Sequence, residues 1–408
     1  MPKFGLPFNE DEKSEICNKV LEISKLLYEI DNTDFGLMGG NAGLALFFFY
    51  ASRATGDRRL SERGEELITR AFASVGRGNN KQLVFSSGLS GLAWTVAHLK
   101  ENEFIEADLD DAFEILTVPF QVAMMSYLRR GEYDYLNGAL GIALYFLERY
   151  DLPEIGHFWQ DVLSELAKHA QADEKGGLKW PSILDVRTKE RGFNLSLSHG
   201  QAGIIDILGR LINSGYVESN LAYDLINGAV AYILGQEIRE TDVKDSMFPL
   251  WISPISPPPQ SRLGWCYGDL GIGLVLFHAG IRLNEGNWRT KGLDILHNTL
   301  TQRDPEKFLI KDACLCHGSA GIAHIYHRLW KETEEEDFAT SARFWFNHSL
   351  KLASFPDGLA GFKAWRSPEQ GGWANDSGFL GGLSGIGLAL VSAISHLDPN
   401  WDRCLLLS

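Results

Sequence analysis

Seven stretches of the chain share one pattern: two glycines three residues apart, then a run that is apolar nearly all round. They are GNAGLALFFFY from Gly40, GLSGLAWTVAHL from Gly88, GALGIALYFL from Gly138, GQAGIIDILGRL from Gly200, GDLGIGLVLF from Gly268, GSAGIAHIYHRL from Gly318 and GLSGIGLALVSAI from Gly382. Successive first glycines stand 48, 50, 62, 68, 50 and 64 residues apart. One G-x-x-G carries no information, but seven with the same continuation mark an internal repeat. The all-round apolar runs predict helices buried on both sides. Between them, SERGEELITRAFASV (61–75) and HFWQDVLSELAKHAQA (157–172) place apolar residues at three- and four-residue steps. That spacing predicts helices with one polar face.

Each period can hold two helices and their loops. Apolar helices alternating with amphipathic ones predict an all-α fold, an α/α toroid of about seven inner and seven outer helices. It would form a single domain over residues 1–408. The alternative, an open solenoid, wants polar capping repeats, and the first and last copies here are as apolar as the rest. The glycines are expected to permit close packing where the inner helices begin. Two long irregular stretches, 173–198 and 239–264, interrupt the repeat. Both run into motif glycines, so both are expected on one face as walls of a substrate groove; long loops in compact folds tend to be functional. The second carries Trp251, Ile252, Ile255 and the proline-rich segment 254–259.

Composition narrows the function. The chain has 408 residues, is 45% hydrophobic and carries a net charge of −15. An acidic chain without basic runs excludes nucleic-acid binding, which needs clustered cations against phosphates. Five scattered cysteines (Cys17, Cys266, Cys314, Cys316 and Cys404) are not a disulfide framework, which points to a reducing, cytoplasmic setting. The stretch MPKFGLPFNEDEK has no basic-plus-apolar signal peptide. Residues 377–397 lack Asp, Glu, Lys and Arg and are long enough to span a bilayer. Their glycines, serines and place in the repeat predict a buried core helix instead.

Equivalent repeat positions converge toward one end of a toroid. Two residues before each first glycine stand Met38, Ser86, Leu136, Ser198, Cys266, Cys316 and Leu380; one residue before stand Gly39, Ser87, Asn137, His199, Tyr267, His317 and Gly381. Cys266 and Cys316 are therefore equivalents in adjacent repeats, with His317 beside the second. Two thiols and an imidazole form the three-ligand set of an open zinc site. Helix starts favour their thiolate forms. Cys314 is the rival donor, but it occupies the slot of Asp134 in another repeat, which favours Cys316. His324 and His327 lie deeper in the same helix and read as core or helix-surface residues. His199 is a candidate general acid or base. Asp134 could orient its ring, and Arg262 and Tyr267 could meet negative charge developing on a substrate carbonyl.

SRLGWCYG, CHGSAGI and SHGQAGI, with an aspartate four residues before a motif glycine, resemble the lanthionine synthetase C-like family. Specifically, they look like the cyclases of class I lanthipeptide (lantibiotic) biosynthesis. The resemblance covers essentially the whole chain. It implies one Zn2+ per chain on Cys266, Cys316 and His317, and an acid/base role for His199 supported by Asp134, Arg262 and Tyr267. It further implies that cysteine thiolates of a dehydrated precursor peptide add to dehydroalanine or dehydrobutyrine, giving (methyl)lanthionine thioether rings. A lanthipeptide dehydratase and an export transporter would be partners, and membrane association would come through them. A glutathione- or peptide-binding scaffold of the same family and a zinc thiol-alkyltransferase of the prenyltransferase type are the alternatives.

Overall fold

Fourteen α-helices occur among the described residues, and they alternate in kind. In chain order they are α1 (Glu10–Tyr28), α2 (Asn41–Thr55), α3 (Arg58–Ser74), α4 (Leu89–Glu101), α5 (Asp110–Arg129), α6 (Ala139–Glu148) and α7 (Gly156–His169), then α8 (Gln201–Asn213), α9 (Asn220–Gly235), α10 (Asp269–Arg282), α11 (Gly286–Thr299), α12 (Ser319–Thr333), α13 (Glu336–Lys351) and α14 (Leu383–Ile394). This computed structural model describes residues 6, 8–75, 83–149, 156–185, 187–217, 220–238, 246–257 and 261–408. The start of the MPKFGLPFNEDEK stretch, parts of both long loops and Pro258–Pro259 of the proline-rich segment lie outside the described residues.

Every even-numbered helix opens directly after a motif glycine, as the periodicity predicts. Each is buried on nearly all sides: all ten residues of α6 are buried, as are residues 41–51 of α2 and 383–393 of α14. The odd-numbered helices keep one face exposed: α3 buries only Leu60, Arg63, Gly64, Leu67 and Ala71, and α5 departs from the polar pattern by exposing Ile115, Val118 and Val122. The charge-free run 377–397 is the buried α14 with its flanks, and no described helix is long and apolar enough to cross a membrane.

The glycine pair has a direct steric cause. The loop before each even helix folds back so that its backbone presses on the helix start. A Cβ on the second glycine would lie 1.9 Å from the Leu315 carbonyl oxygen at Gly321 and 2.1 Å from that of Tyr135 at Gly141. At the first glycine, a Cβ on Gly138 would lie 2.4 Å from the Glu132 oxygen. Real Cβ atoms do not approach backbone oxygen so closely, so no other residue fits. The slot one residue before the first glycine is different. A Cβ at Gly39 meets nothing within 4 Å.

The turn also has a polar frame. Six residues before the first glycine, a side chain accepts the N–H two residues on: Gly36 N–H to Asp34 (2.8 Å), Ser196 to Asn194 (2.9 Å), Cys314 to Asp312 (3.2 Å) and Gly378 to Asp376 (2.8 Å). The same residue's carbonyl accepts the first helical N–H, as from Asn41 to Asp34 (2.8 Å) and from Ser319 to Asp312 (3.0 Å). These Asx turns satisfy backbone groups that a helix start leaves unpaired. Repeat five breaks the frame. Arg262 holds the slot, and Gly268 takes φ +101°, a left-handed region open to glycine.

The chain divides into two compact units: unit 1 is Met1–Gln82, Ser86–Glu106 and Asp304–Ser408, and unit 2 is Leu83–Phe85 and Ala107–Arg303. In unit 1, α14 packs on α1, α2 and α12, while α2 packs on α3 and α12 on α13. The repeat turns in unit 1 are bonded edge to edge: the Cys316 N–H donates to the Leu380 carbonyl (3.1 Å), Leu380 to Met38 (2.9 Å) and Met38 to Ser86 (2.8 Å). The last repeat is thus bonded to the first. Fully buried Asp402, on a 3-10 helix at Asn400–Leu405, receives His324 Nε2 at 2.8 Å. His324 and His327 are both core residues; neither lies on a helix surface.

In unit 2, α8 packs on α6, α9 and α10, and α10 packs on α11. Buried Asp206 pairs with Arg210 and Arg282, each at 2.5 Å. The helix predicted over 157–172 ends at His169, and its last residues pair instead as strand β1 (Gln171–Ala172) with β2 (Leu178–Lys179); the loops expected to be irregular contain β2, β3 (Ser182–Asp185), β4 (Glu190–Asn194) and β5 (Trp251–Ile252). β3, β4 and β5 form one antiparallel sheet, with Phe193 opposite Ile252 and Asn194 opposite Trp251. Segments of two to five residues are too short for alternation to announce them. Unit 1 carries a further hairpin, β6 (Ala364–Trp365) with β7 (Trp373–Ala374), which the repeat pattern did not indicate.

Candidate active and metal sites

In unit 2 the turn into α8 carries His199, and β4 feeds that turn through Asn194. His199 Nδ1 lies 2.5 Å from Asp134 Oδ2, and the other Asp134 oxygen accepts the Asn137 N–H at 2.6 Å. The carboxylate is thereby fixed by its own turn, so it orients the imidazole and leaves Nε2 for other work. The His199 N–H donates to the Ser196 hydroxyl (3.1 Å), which anchors the backbone below the ring. Burial pushes the imidazole pKa down, but the Asp134 carboxylate outweighs it, aided by the nearby Cys266, and the net shift is upward.

Tyr267 stands beside this pair, its ring 6.1 Å from that of His199. Its hydroxyl accepts from Asn194 Nδ2 at 3.2 Å, and burial raises its pKa, so it remains a donor near neutrality. The Arg262 guanidinium sits over the Tyr267 ring at 5.9 Å. Trp251 of β5 meets the same ring at 6.1 Å, so the second long loop contributes an aromatic wall here. Cys266 is buried and tied to the neighbouring turn. Its carbonyl accepts the Ser198 hydroxyl (3.1 Å) and N–H (3.5 Å). The structure therefore gathers Asp134, His199, Arg262, Tyr267 and Cys266; the repeat register had placed His199, Tyr267 and Cys266 at the mouth, with Asp134 and Arg262 a few residues upstream.

In unit 1 the turn into α12 carries half-buried Cys316 and His317. His317 Nε2 lies 3.6 Å from Oδ2 of buried Asp312. That oxygen also accepts the Trp365 N–H at 2.7 Å, so hairpin β6–β7 is tied to the same carboxylate. Burial works against the ionised form of Asp312, yet His317, the Trp365 N–H and the Cys314 side chain hold its pKa below the usual range. Cys314 is the alternative donor: ligand atoms of Asp312, Cys314 and His317 all lie within 4.8 Å of one another. The Cys314 sulfur already accepts the His317 N–H at 3.5 Å, and burial raises its thiol pKa. A buried sulfur that resists ionisation is the poorer ligand, which leaves Cys316 as the better donor beside His317.

Sequence reasoning missed Asp312 and Asn194. Their signal was available: both stand six residues before a motif glycine, the slot also held by Asp34 and Asp376.

The model for lanthionine synthetase C-like proteins matches residues 31–406. The chain belongs to this family. Nisin biosynthesis protein NisC of Lactococcus lactis subsp. lactis is 24% identical over 349 residues, covering 79% of this chain and 76% of that one. A solved structure, nisin cyclase, superposes with a TM-score of 0.75 at 17% identity and covers 98% of both chains. The fold is the α/α toroid that seven repeats predicted.

Proposed function

We propose that this family member is a lanthionine cyclase acting as one domain over residues 1–408. The observation that carries the proposal is the Asp134–His199 pair beside Tyr267 and Cys266. The expected zinc ligands are Cys266, Cys316 and His317, and their two thiols and one imidazole suit that borderline-soft ion. When bound, zinc would supply the Lewis acidity that keeps a peptide thiol ionised near neutral pH.

The chain's own groups account for the rest. The substrate is a precursor peptide whose Ser or Thr residues a dehydratase has converted to dehydroalanine or dehydrobutyrine. As the peptide sulfur bonds to the β-carbon, the C=C π pair moves toward the carbonyl and forms an enolate. Arg262 and the Tyr267 hydroxyl would meet that negative charge. His199, held through Nδ1 by Asp134, takes at Nε2 the proton that the peptide thiol gives up and delivers it to Cα. The Trp251 wall and the β3–β5 sheet hold the flexible peptide. The chain acts in the cytoplasm, with a dehydratase and an export transporter as its partners.

The test combines metal analysis with ring formation on a dehydrated peptide, followed by loss of alkylatable thiol in mass spectra. One zinc per chain is expected, lost in Cys266→Ala and Cys316→Ala and kept in Cys314→Ala. Zinc without ring formation in the wild-type protein would instead favour a peptide-binding scaffold.

A further inference from the structure

Four turns of the molecule place an Asp or Asn six residues before the helix-opening glycine, and three use it alike. In the turns of Asp34, Asn194 and Asp376, one side-chain oxygen accepts the backbone N–H two residues on. Asp312 does the same with Oδ1, through the Cys314 N–H. It differs in what its second oxygen meets. Oδ2 receives the Trp365 N–H and faces His317 Nε2 at 3.6 Å. No other described turn pairs this framing carboxylate with an imidazole in the slot before the glycine. His199 is served by Asp134, from a different repeat and through Nδ1.

We propose that Asp312 is a positioning residue for His317: its carboxylate faces the ring at Nε2, favours the tautomer protonated there and presents Nδ1 as the metal donor. The inference rests on the zinc reading given above. Four observations support it. Asp312 is 2% exposed, so its orientation is set by packing rather than solvent. Two backbone N–H groups, from Cys314 and Trp365, hold the carboxylate plane in place before any metal arrives. The nitrogen facing it is Nε2, which assigns the remaining lone pair to Nδ1. His317 is also held from the backbone side, where its N–H donates to the Cys314 sulfur. This gives the non-ligating Cys314 a role in setting the ring's approach. A carboxylate on the far nitrogen of a metal-bound histidine raises its basicity and fixes its orientation, and its loss costs 10- to 100-fold in metal affinity.

Asn already fills the equivalent slot at position 194, so Asp312→Asn preserves the Asx turn while removing the charge. Chelator competition should show a 10- to 100-fold weaker zinc Kd for Asp312→Asn. Asp34→Asn, in an equivalent turn with Gly39 where His317 would be, should leave it unchanged. In a His317→Cys background the ligand has no second N–H, so Asp312→Asn should then change the Kd less than twofold. An equal loss in both backgrounds, or an unchanged Kd in folded Asp312→Asn, overturns the proposal. Should Asp312→Asn fail to fold, 15N-histidine spectra of the zinc-loaded wild-type protein read the tautomer directly. A protonated Nε2 supports the assignment, and a protonated Nδ1 overturns it. A wild-type protein that binds no zinc overturns the ligand set itself, and the Asp312 role with it.

Discussion

Two turns of the molecule share a backbone and differ in everything that matters chemically. The turn Asp34–Gly40 has glycine in the slot before its helix-opening glycine, and that slot faces open space. The turn Asp312–Gly318 has the same Asx frame and the same helix-opening glycine, but carries Cys316 and His317 in its two mouth positions. Two positions of each turn, the aspartate and the helix-opening glycine, are dictated by sterics and backbone hydrogen bonds. The two mouth positions are dictated by nothing local. The fold thus separates mounting from chemistry, and side chains at the mouth can change without disturbing the mount.

That separation can be broken from either side. The largest effect should come from chemistry. His199→Ala removes a positioned acid/base group and should slow ring formation about 10²- to 10⁴-fold. Zinc content and melting temperature should stay at wild-type values, and an unchanged cyclisation rate would remove His199 from the mechanism. The mount comes next. Gly321→Ala forces a Cβ to 1.9 Å from the Leu315 oxygen, a contact only backbone movement relieves. It should destabilise the protein by about 3 kcal/mol or more in urea titrations. Gly39→Ala, where a Cβ meets nothing, should cost no more than about 0.5 kcal/mol. Equal costs at the two positions would contradict the separation.

A third prediction uses buried carboxylates of opposite sign in the two units. Burial pushes Asp269 up to about 6, against donors from Ser246, Met247 and Phe248. A folded pKa above the unfolded value adds stability fully present below pH about 4 and lost as pH rises through 6, about 3 kcal/mol in all. Asp402 runs the other way. Burial opposes its charge, but Arg328 and His324 overcome that and bring it down to about 2. Its contribution, about 2 kcal/mol, is present above pH about 4 and disappears as pH falls toward 2. Asp269→Asn should therefore flatten the stability profile between pH 4 and 6 and leave the acid limb intact. Urea midpoints across that range check it, and an unaltered slope would count against the assignment.

The smallest effect concerns the aromatic wall. Trp251→Ala should weaken precursor-peptide binding by about 1–2 kcal/mol while zinc content is unchanged. Titration calorimetry with a dehydrated peptide measures this, and identical affinity would reduce the wall to packing.

The parts legible in the sequence are those that sterics repeat. Gly43, Gly141, Gly203, Gly321 and Gly385 each face a backbone oxygen from their own loop, so substitution is blocked and the pair recurs visibly. From that register followed the alternation of helices and the alignment of Asp134, His199 and Tyr267. The Asx slot was harder to see because several residue types fill it: Asp34, Glu132, Asn194, Arg262 and Asp312. Strands β1–β7 were invisible because two to five residues cannot show a period. Hairpin β6–β7 is held by one bond to Asp312 and by the Trp365–Trp373 ring contact at 5.1 Å, neither of which leaves a local pattern.

The bond from Leu380 to Met38 joins the seventh repeat to the first. A linear array frays from its ends, because an end repeat has one neighbour and its removal costs one interface. Here the outermost repeats along the chain each have two. Deleting the seventh repeat would therefore be as damaging as excising one from the middle, and step-by-step truncation should produce an abrupt loss of structure rather than a graded series of shorter folded proteins.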